Sequence, residues 1–181
     1  MTTTAPPTSS TSPTNPTPGD VTIRRAGVQD AGTVLALMHE LAEHEDSAGA
    51  VRCTEDDWRR MLANRSVLVL LAHLDDHPVG YVSGVRQLNL WIGGDLLAMD
   101  DLYVRPGARS SGVGGRLMAA LAEAVTSERL VITWGAREDN EAGHRFYRRI
   151  GASLRTKVVA SWSPHQYAAY LDARPTDRAT R

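Results

Sequence analysis

The chain has 181 residues, a length that suits one well-buried domain and is short for two. Its 20 basic and 21 acidic side chains give a formal net charge of −1, which argues against a nucleic-acid-binding protein with a basic surface. The single cysteine, Cys53, argues against internal disulfides and a cysteine-rich zinc site. No apolar run approaches the ~20 residues of a membrane helix, and the N-terminus lacks the apolar core of a secretory signal. We therefore expect a cytoplasmic enzyme or binding domain, without a nucleic-acid or membrane partner.

Both ends of the chain differ in composition from its middle. Residues 1–19 contain seven Thr, five Pro and three Ser without a charged side chain, which predicts a disordered tail. Residues 172–181 are polar again, and we expect them to be frayed. The sequence thus predicts one folded domain over residues 20–171.

The first half of this domain alternates between strand-like and helical patterns. Thr54 and Asp57 match a capping box, which predicts the start of a helix. The predicted elements are a strand at 21–24, a helix at 29–44, a helix after Thr54, and strands at 67–73 and 79–86 joined by a turn. The antiparallel hairpin in this series indicates that the sheet begins as a meander.

The second half continues with crossovers. Its predicted elements are a strand at 96–104, a helix after the following glycines, a buried strand at 130–134, a helix at 140–150 and a last strand at 152–162. Pro106 ends the first of these strands, and Gly151 is placed to end the last helix. The order β-α-α-β-β-β-α-β-α-β predicts an α/β (α+β) fold with a mixed, twisted central sheet.

The sharpest feature is the glycine-rich segment 104–117, VRPGARSSGVGGRL, in which a strand leads through a loop into a helix. Glycines let backbone N–H groups converge, and the helix N-terminus adds partial positive charge, so the segment suits a pyrophosphate. Arg116 and Leu117 replace the Lys and Ser or Thr of a P-loop, and Leu117 also replaces the third glycine of a dinucleotide-binding fingerprint. The pattern that remains is Arg-x-x-Gly-x-Gly, at Arg109, Gly112 and Gly114.

With this pattern the chain resembles the GNAT superfamily of N-acetyltransferases, whose central motif holds the pyrophosphate of acetyl-CoA. Residues 140–152 look like the later motif of that family, with Asn140, the Phe-Tyr pair ending at Tyr147, and then Gly-Ala. On a helix Asn140 and Tyr147 would share a face, because they are seven residues apart.

Within this superfamily the chain looks most like the diamine (spermidine/spermine) N-acetyltransferase branch. The segments that carry this resemblance are ELAEHE at 40–45, TEDD at 54–57, WIG at 91–93 and MDDLYV at 99–104. The resemblance extends from about residue 21 to residue 152. The chain departs from the branch at Asp100, where the branch has a glutamate, and after Ala152, where the expected hairpin is curtailed.

The resemblance implies an acetyl-CoA-dependent enzyme without a metal, in which the amine attacks the thioester directly in a ternary complex. Tyr147 is the implied acid for the departing thiolate, and Asp100 is implied to steer the amine and accept its proton, directly or through water. His44 and Glu45 would line the acceptor entrance together with Asp100. The implied cofactor-binding residues are Leu102, Tyr103, Val104, Arg109, Ser110, Ser111, Gly112, Val113, Gly114, Gly115, Asn140 and Tyr147.

The identity of the acceptor is open at this point. A polyamine or diamine is favoured by the resemblance, and the alternatives are an amino acid, an aminoglycoside, a protein lysine, or a CoA-binding module without catalysis. The family also permits a homodimer.

Overall fold

The computed structural model describes residues 21–174, and the chain divides after Gly135 into two compact units. The predicted tail at 1–19 lies outside the described residues, as does most of the predicted tail at 172–181. The domain boundaries therefore stay a prediction.

The first unit is built on a five-stranded sheet with the spatial order β1-β2-β3-β4-β5. The strands are β1 (Val21–Arg25), β2 (Val67–Leu74), β3 (His77–Asn89), β4 (Gly94–Val104) and β5 (Ile132–Thr133). Strands β1 to β4 pair antiparallel with their neighbours, whereas β5 runs parallel to β4. The predicted mixed sheet that begins as an antiparallel meander is confirmed.

Three helices cover this sheet: α1 (Ala31–His44), α2 (Glu55–Ala63) and α3 (Val113–Thr126). Apolar side chains of α1 and α2 form one buried cluster with Leu71 and Tyr81 of the sheet. Leu70 and Val82 are also buried, and they point to the other face because successive side chains of a strand alternate. Helix α3 packs on β1 to β4 through its own apolar stripe. Helices thus cover both faces of strand β4, and the strand ends at the glycine-rich loop.

The second unit contains α4 (Glu141–Arg149) and α5 (Pro164–Asp172). Helix α4 ends as the sequence predicts, because Gly151 adopts φ +88° and the N–H of Ala152 donates to the carbonyl of Tyr147 at 3.0 Å. This left-handed residue after the helix is the geometry that favours glycine.

Two predicted strands differ in the structure. The buried strand at 130–134 is reduced to the two residues of β5, with Val131 exposed, because β5 pairs with β4 on one side only among the described residues. The last strand predicted at 152–162 is wrong. Val158 and Val159 are 89% and 86% exposed, and no part of residues 21–174 pairs with this segment to complete a ladder.

Helix α5 was not predicted, although the sequence contains a signal for it. The Ser163 hydroxyl accepts a hydrogen bond from the N–H of Gln166 at 3.4 Å, and the Gln166 side chain accepts from the N–H of Ser163 at 2.8 Å. Pro164 occupies the first helical position. This is a capping box with proline at the position where a missing N–H costs least.

Candidate active site

The loop between β4 and α3 contains the residues predicted to hold pyrophosphate. Gly112 precedes the first helical residue and adopts φ +85°, a conformation that favours glycine. Among residues 21–174 no side chain caps α3, and no acidic residue lies in its first turn. The N–H groups of Val113, Gly114 and Gly115 therefore belong to the part of a helix that has no intrahelical acceptor.

Two of the glycines at this helix start have open space where a side chain would stand. A Cβ added at Gly112 or at Gly115 would meet no heavy atom of the described residues within 4 Å. An uncapped helix N-terminus of 14 residues, bordered by open glycines, has the partial positive charge and the access that a phosphate needs. The loop therefore fits the pyrophosphate of acetyl-CoA, the residues that would hold it being 109–115.

Polar side chains of the loop hold its shape. The Arg109 Nε donates to the Val104 carbonyl at 2.8 Å, and its guanidinium carbon lies 6.0 Å from the centre of the Tyr103 ring. The Ser111 hydroxyl donates to the Ala108 carbonyl at 2.7 Å, and Ser110 adopts φ +65°. Leu102 and these predicted cofactor-binding residues all lie between the end of β4 and the first turn of α3.

A β-bulge in β4 lies directly before Leu102. In the pairing of β3 with β4, Gly84 faces Met99 and Val82 faces Leu102, so Ser83 alone stands opposite both Asp100 and Asp101. Bulges locally twist a strand and re-aim its side chains, and they are frequent next to active sites. Two adjacent carboxylates are thus presented at an irregularity of the sheet.

Asp101 is held by hydrogen bonds across this bulge. The Tyr81 hydroxyl donates to Asp101 Oδ2 at 3.0 Å, and the Ser83 hydroxyl donates to the same oxygen at 3.3 Å. The N–H of Asp101 in turn donates to Ser83 Oγ at 3.2 Å. Tyr81 and Ser83 were not predicted as site residues, although their alternate positions in one strand place both side chains on the same face.

Asp100 is an exposed residue, but enough protein surrounds its carboxyl group to change its titration. Desolvation raises the pKa of Asp100, and the negative charge of Asp101 raises it further. A carboxylate whose pKa moves toward the working pH is a better proton acceptor at that pH. The predicted role of Asp100 is therefore chemically consistent with its surroundings.

The C-terminal end of α1 contributes further negative charge. His44 is the last residue of α1 and Glu45 follows it, both exposed. Burial raises the pKa of the Tyr81 hydroxyl far above its usual range. The negative charge of Asp101 raises this pKa further, and the charge of Glu45 raises it more weakly. Within residues 21–174, no hydrogen bond or ion pair joins His44 or Glu45 to Asp100.

The second unit holds the other two predicted site residues. Asn140 caps α4, its side-chain oxygen accepting from the N–H of Gly143 at 2.8 Å. Tyr147 is buried, and its ring centre lies 5.5 Å from that of Phe146. Asn140 thus acts as the helix cap that its position suggests, and its contact with a cofactor stays a prediction.

Two further properties of the described residues bear on the site. Residues 21–174 contain no group of three His, Cys, Asp or Glu side chains placed to hold a metal ion. Over the same range, every helix is too short or too polar to span a bilayer.

Known proteins resemble this chain in sequence and in fold. The Acetyltransferase (GNAT) family matches residues 35–152. A thialysine N-epsilon-acetyltransferase of Caenorhabditis elegans is 29% identical over 65% of this chain and 73% of its own. A protein of the same name from Bos taurus is 28% identical over 76% of this chain and 87% of its own.

Solved structures of aminoglycoside acetyltransferases share the fold. One from an uncultured soil metagenomic sample has a TM-score of 0.70 at 17% identity and covers 79% of this chain and 95% of its own. Another, solved in complex with CoA, has a TM-score of 0.68 at 15% identity and covers 83% and 99%. The family match over most of the chain, on a sheet of this topology with this glycine loop, shows that the protein belongs to the GNAT acetyltransferase family and is an acetyl-CoA-dependent N-acetyltransferase.

Proposed function

We propose that the protein transfers the acetyl group directly to the primary amine of a small alkylamine, with polyamines and diamines as the favoured acceptors. The observation that carries this proposal is the pair of carboxylates at the β4 bulge, Asp100 and Asp101. No Arg, Lys or His of residues 21–174 forms an ion pair with either of them. Two carboxylates without a cationic partner in the described chain attract a ligand that is itself a cation.

The chain's own residues would divide the work as follows. Acetyl-CoA supplies an acetyl group activated as a thioester. The backbone N–H groups of 112–115 would bind its pyrophosphate, and the main chain of Leu102, Tyr103 and Val104 would align its pantetheine arm. Asp100 would accept one proton from the acceptor ammonium, directly or through water, and leave a neutral nitrogen with a lone pair for attack on the thioester carbonyl.

The proposal assigns the final proton to Tyr147. Attack leaves the nitrogen with a positive charge and a second proton that it must lose before the amide forms. When the carbon–sulfur bond breaks, the electron pair goes to sulfur, and the phenol would donate its proton there. The second proton of the nitrogen would then restore the phenol, directly or through water. Support comes from the family motif that contains Tyr147 and from the burial of this side chain. Its α4 partner Asn140 would contact the cofactor in addition to capping the helix.

The names of the relatives favour a second acceptor. Two similar proteins are named thialysine N-epsilon-acetyltransferases, so an amino acid with a terminal side-chain amine is the alternative to a diamine. Both classes present a protonated primary amine at the end of a short alkyl chain. They differ in the carboxylate of the amino acid, which two neighbouring aspartates would repel.

An acceptor panel tests the proposal. Thiol release from acetyl-CoA is followed with 1,3-diaminopropane, spermidine, thialysine, lysine and an aminoglycoside at matched concentrations. The highest kcat/KM with a diamine or polyamine supports the first proposal, and the highest with thialysine supports the alternative. Acetyl-CoA binding without amine-dependent thiol release from any of them would overturn both.

We also propose that the protein forms a homodimer and that it acts in the cytoplasm. The turn between β3 and β4 exposes Leu90, Trp91 and Ile92, and Trp91 is 98% exposed. Contiguous apolar side chains at one tip support an interface, since monomers rarely expose such groups together. Sedimentation of the parent and of Trp91→Asp tests this. A dimer that dissociates in the variant supports the proposal, and a monomeric parent contradicts it.

A further inference from the structure

The hydrogen bonds around Asp101 are directed to one side of its carboxylate. Both hydroxyls, from Tyr81 and Ser83, donate to Oδ2. Tyr81 is fully buried and Ser83 is 4% exposed, so water does not compete with them on that side. Asp101 itself is only partly buried, so a ligand can approach this residue.

Neutral donors orient a carboxylate without cancelling its charge. A lysine or arginine in the same place would neutralise Asp101, whereas two hydroxyls leave a full negative charge in a fixed direction. Ser83 also accepts the N–H of Asp101, so the backbone of the bulge and the side chain are fixed by the same hydroxyl. The network therefore holds both the position and the orientation of one anion.

Tyr81 and Ser83 reach Asp101 from the face of the sheet that α1 and α2 cover. Tyr81 belongs to the buried cluster that contains Leu37 of α1 and Trp58 of α2. The charge of Glu45, just past the end of α1, is felt at Tyr81. The carboxylate of Asp101 thus lies on the face where the resemblance implies the acceptor entrance at His44 and Glu45.

We propose that Asp101 binds the ammonium group of the acceptor and that Tyr81 and Ser83 are positioning residues which hold this carboxylate in place. This inference rests on the proposed function, and it assigns different roles to the two aspartates of the bulge. Asp101 binds the cation, and the neighbouring Asp100 accepts its proton. Tyr81 and Ser83 touch neither substrate nor cofactor, and they act through Asp101.

The test separates positioning from mere packing by a double-mutant cycle. Tyr81→Phe keeps the ring in the core and removes one donor to Asp101. Loss of a hydrogen bond to a charged group is expected to raise the amine KM about 10-fold, with kcat changed less than about two-fold. The acetyl-CoA affinity, measured by calorimetry, should not change. Ser83→Ala should act in the same direction.

In an Asp101→Ala background the Tyr81→Phe effect on KM should disappear, because the partner of the hydroxyl is gone. If Asp101→Ala does not fold, Asp101→Asn replaces it as the single variant, and the amine KM should still rise. Thr126→Val removes a hydroxyl that, within residues 21–174, bonds only the Ala122 carbonyl of α3, and it serves as the matched control.

A neutral acceptor gives an independent measurement. Trifluoroethylamine is largely uncharged near neutral pH, so its KM should not respond to Tyr81→Phe or Asp101→Asn. An equal rise in KM for charged and uncharged amines would overturn the proposal, as would a Tyr81→Phe effect that persists without Asp101. If the parent acetylates no amine, the proposed function fails. If it does, and these variants do not discriminate, only the present inference fails.

Discussion

Glu40 of α1 and Arg105, the first residue after β4, form a two-pronged ion pair. The Arg105 Nε donates to Glu40 Oε2 at 2.9 Å, and a terminal guanidinium nitrogen donates to Oε1 at 2.6 Å. The other terminal nitrogen donates to the Pro78 carbonyl at 2.5 Å, and the Tyr103 hydroxyl donates to Glu40 at 3.4 Å. The start of the glycine-rich loop is thereby tied to α1 and to the start of β3.

We predict that Glu40→Gln lowers both stability and acetyl-CoA affinity. The pair is about one-third exposed on each side, so water screens it, and its loss should cost ~1 kcal/mol in the free energy of unfolding. The Arg105 hydrogen bonds lower the pKa of Glu40, so its contribution is present at neutral pH. The contribution is fully present above the pKa of an unfolded glutamate, about 4.3. It is lost as pH falls from that pKa through the lower pKa of Glu40 in the folded protein.

Chemical denaturation of parent and variant at about pH 7 and at about pH 3 checks this sign, since the difference in the free energy of unfolding should be larger at the neutral pH. Glu43→Gln on an exposed face of the same helix is the matched control. A stability difference that is equal at both pH values would contradict a charge-dependent role for Glu40.

The second prediction concerns Gly112. Gly112→Ala introduces a Cβ at φ +85°, which should cost ~1 kcal/mol in stability, and Gly112→Val should in addition block the open space in front of α3. We expect acetyl-CoA affinity to fall at least about 10-fold for valine. Gly107→Ala, also in open space but without positive φ, is the control. Unchanged affinity of Gly112→Val by calorimetry would exclude this helix start as the pyrophosphate site.

The third prediction concerns the pH dependence of kcat/KM. Asp100→Asn should lower kcat/KM for a diamine by about 10²-fold, with acetyl-CoA affinity unchanged, because it removes the proton acceptor. Since the charge of Asp101 helps to raise the pKa of Asp100, Asp101→Asn should move the acidic limb of the profile to lower pH. Asp95→Asn at the start of the same strand is the control. An acidic limb at the same pH in the parent and in Asp101→Asn would show that Asp100 does not produce it.

Local signals in the sequence predicted local structure well. Thr54 and Asp57 form the predicted capping box, with the N–H of Thr54 donating to Asp57 at 2.7 Å and the N–H of Asp57 donating to the Thr54 hydroxyl at 3.2 Å. The position of Gly151 likewise predicted where α4 ends. Such features depend on residues within one helical turn, so a single sequence is enough to recognise them.

Contacts between distant segments could not be predicted in the same way. Whether Ser83 faces one aspartate or two depends on the register of β3 against β4, which side-chain alternation alone does not reveal. Glu40 belongs to the segment ELAEHE that carries the family resemblance, but its partner Arg105 is 65 residues away. The wrong strand at 152–162 has the same origin, because apolar residues form a strand only where another strand accepts their hydrogen bonds.

The last prediction concerns Tyr147. Tyr147→Phe keeps the buried ring and removes only the hydroxyl. If the phenol protonates the departing thiolate, kcat should fall by about 10²–10⁴-fold, the usual contribution of a general acid, while acetyl-CoA affinity changes little. Tyr167→Phe on α5 removes a phenol from the same unit and is the matched control.

An acetyl donor with a more acidic thiol separates the role of Tyr147 as an acid from a role in binding. Acetyl thioesters of p-nitrothiophenol release a weakly basic thiolate that needs no proton, so Tyr147→Phe should lose little activity with this donor. The ratio of parent to variant activity should therefore be much smaller with this donor than with acetyl-CoA. If the variant instead kept a near-parent kcat with acetyl-CoA and bound it more weakly, the hydroxyl would contact the cofactor. In that case another group, or water, would have to protonate the sulfur.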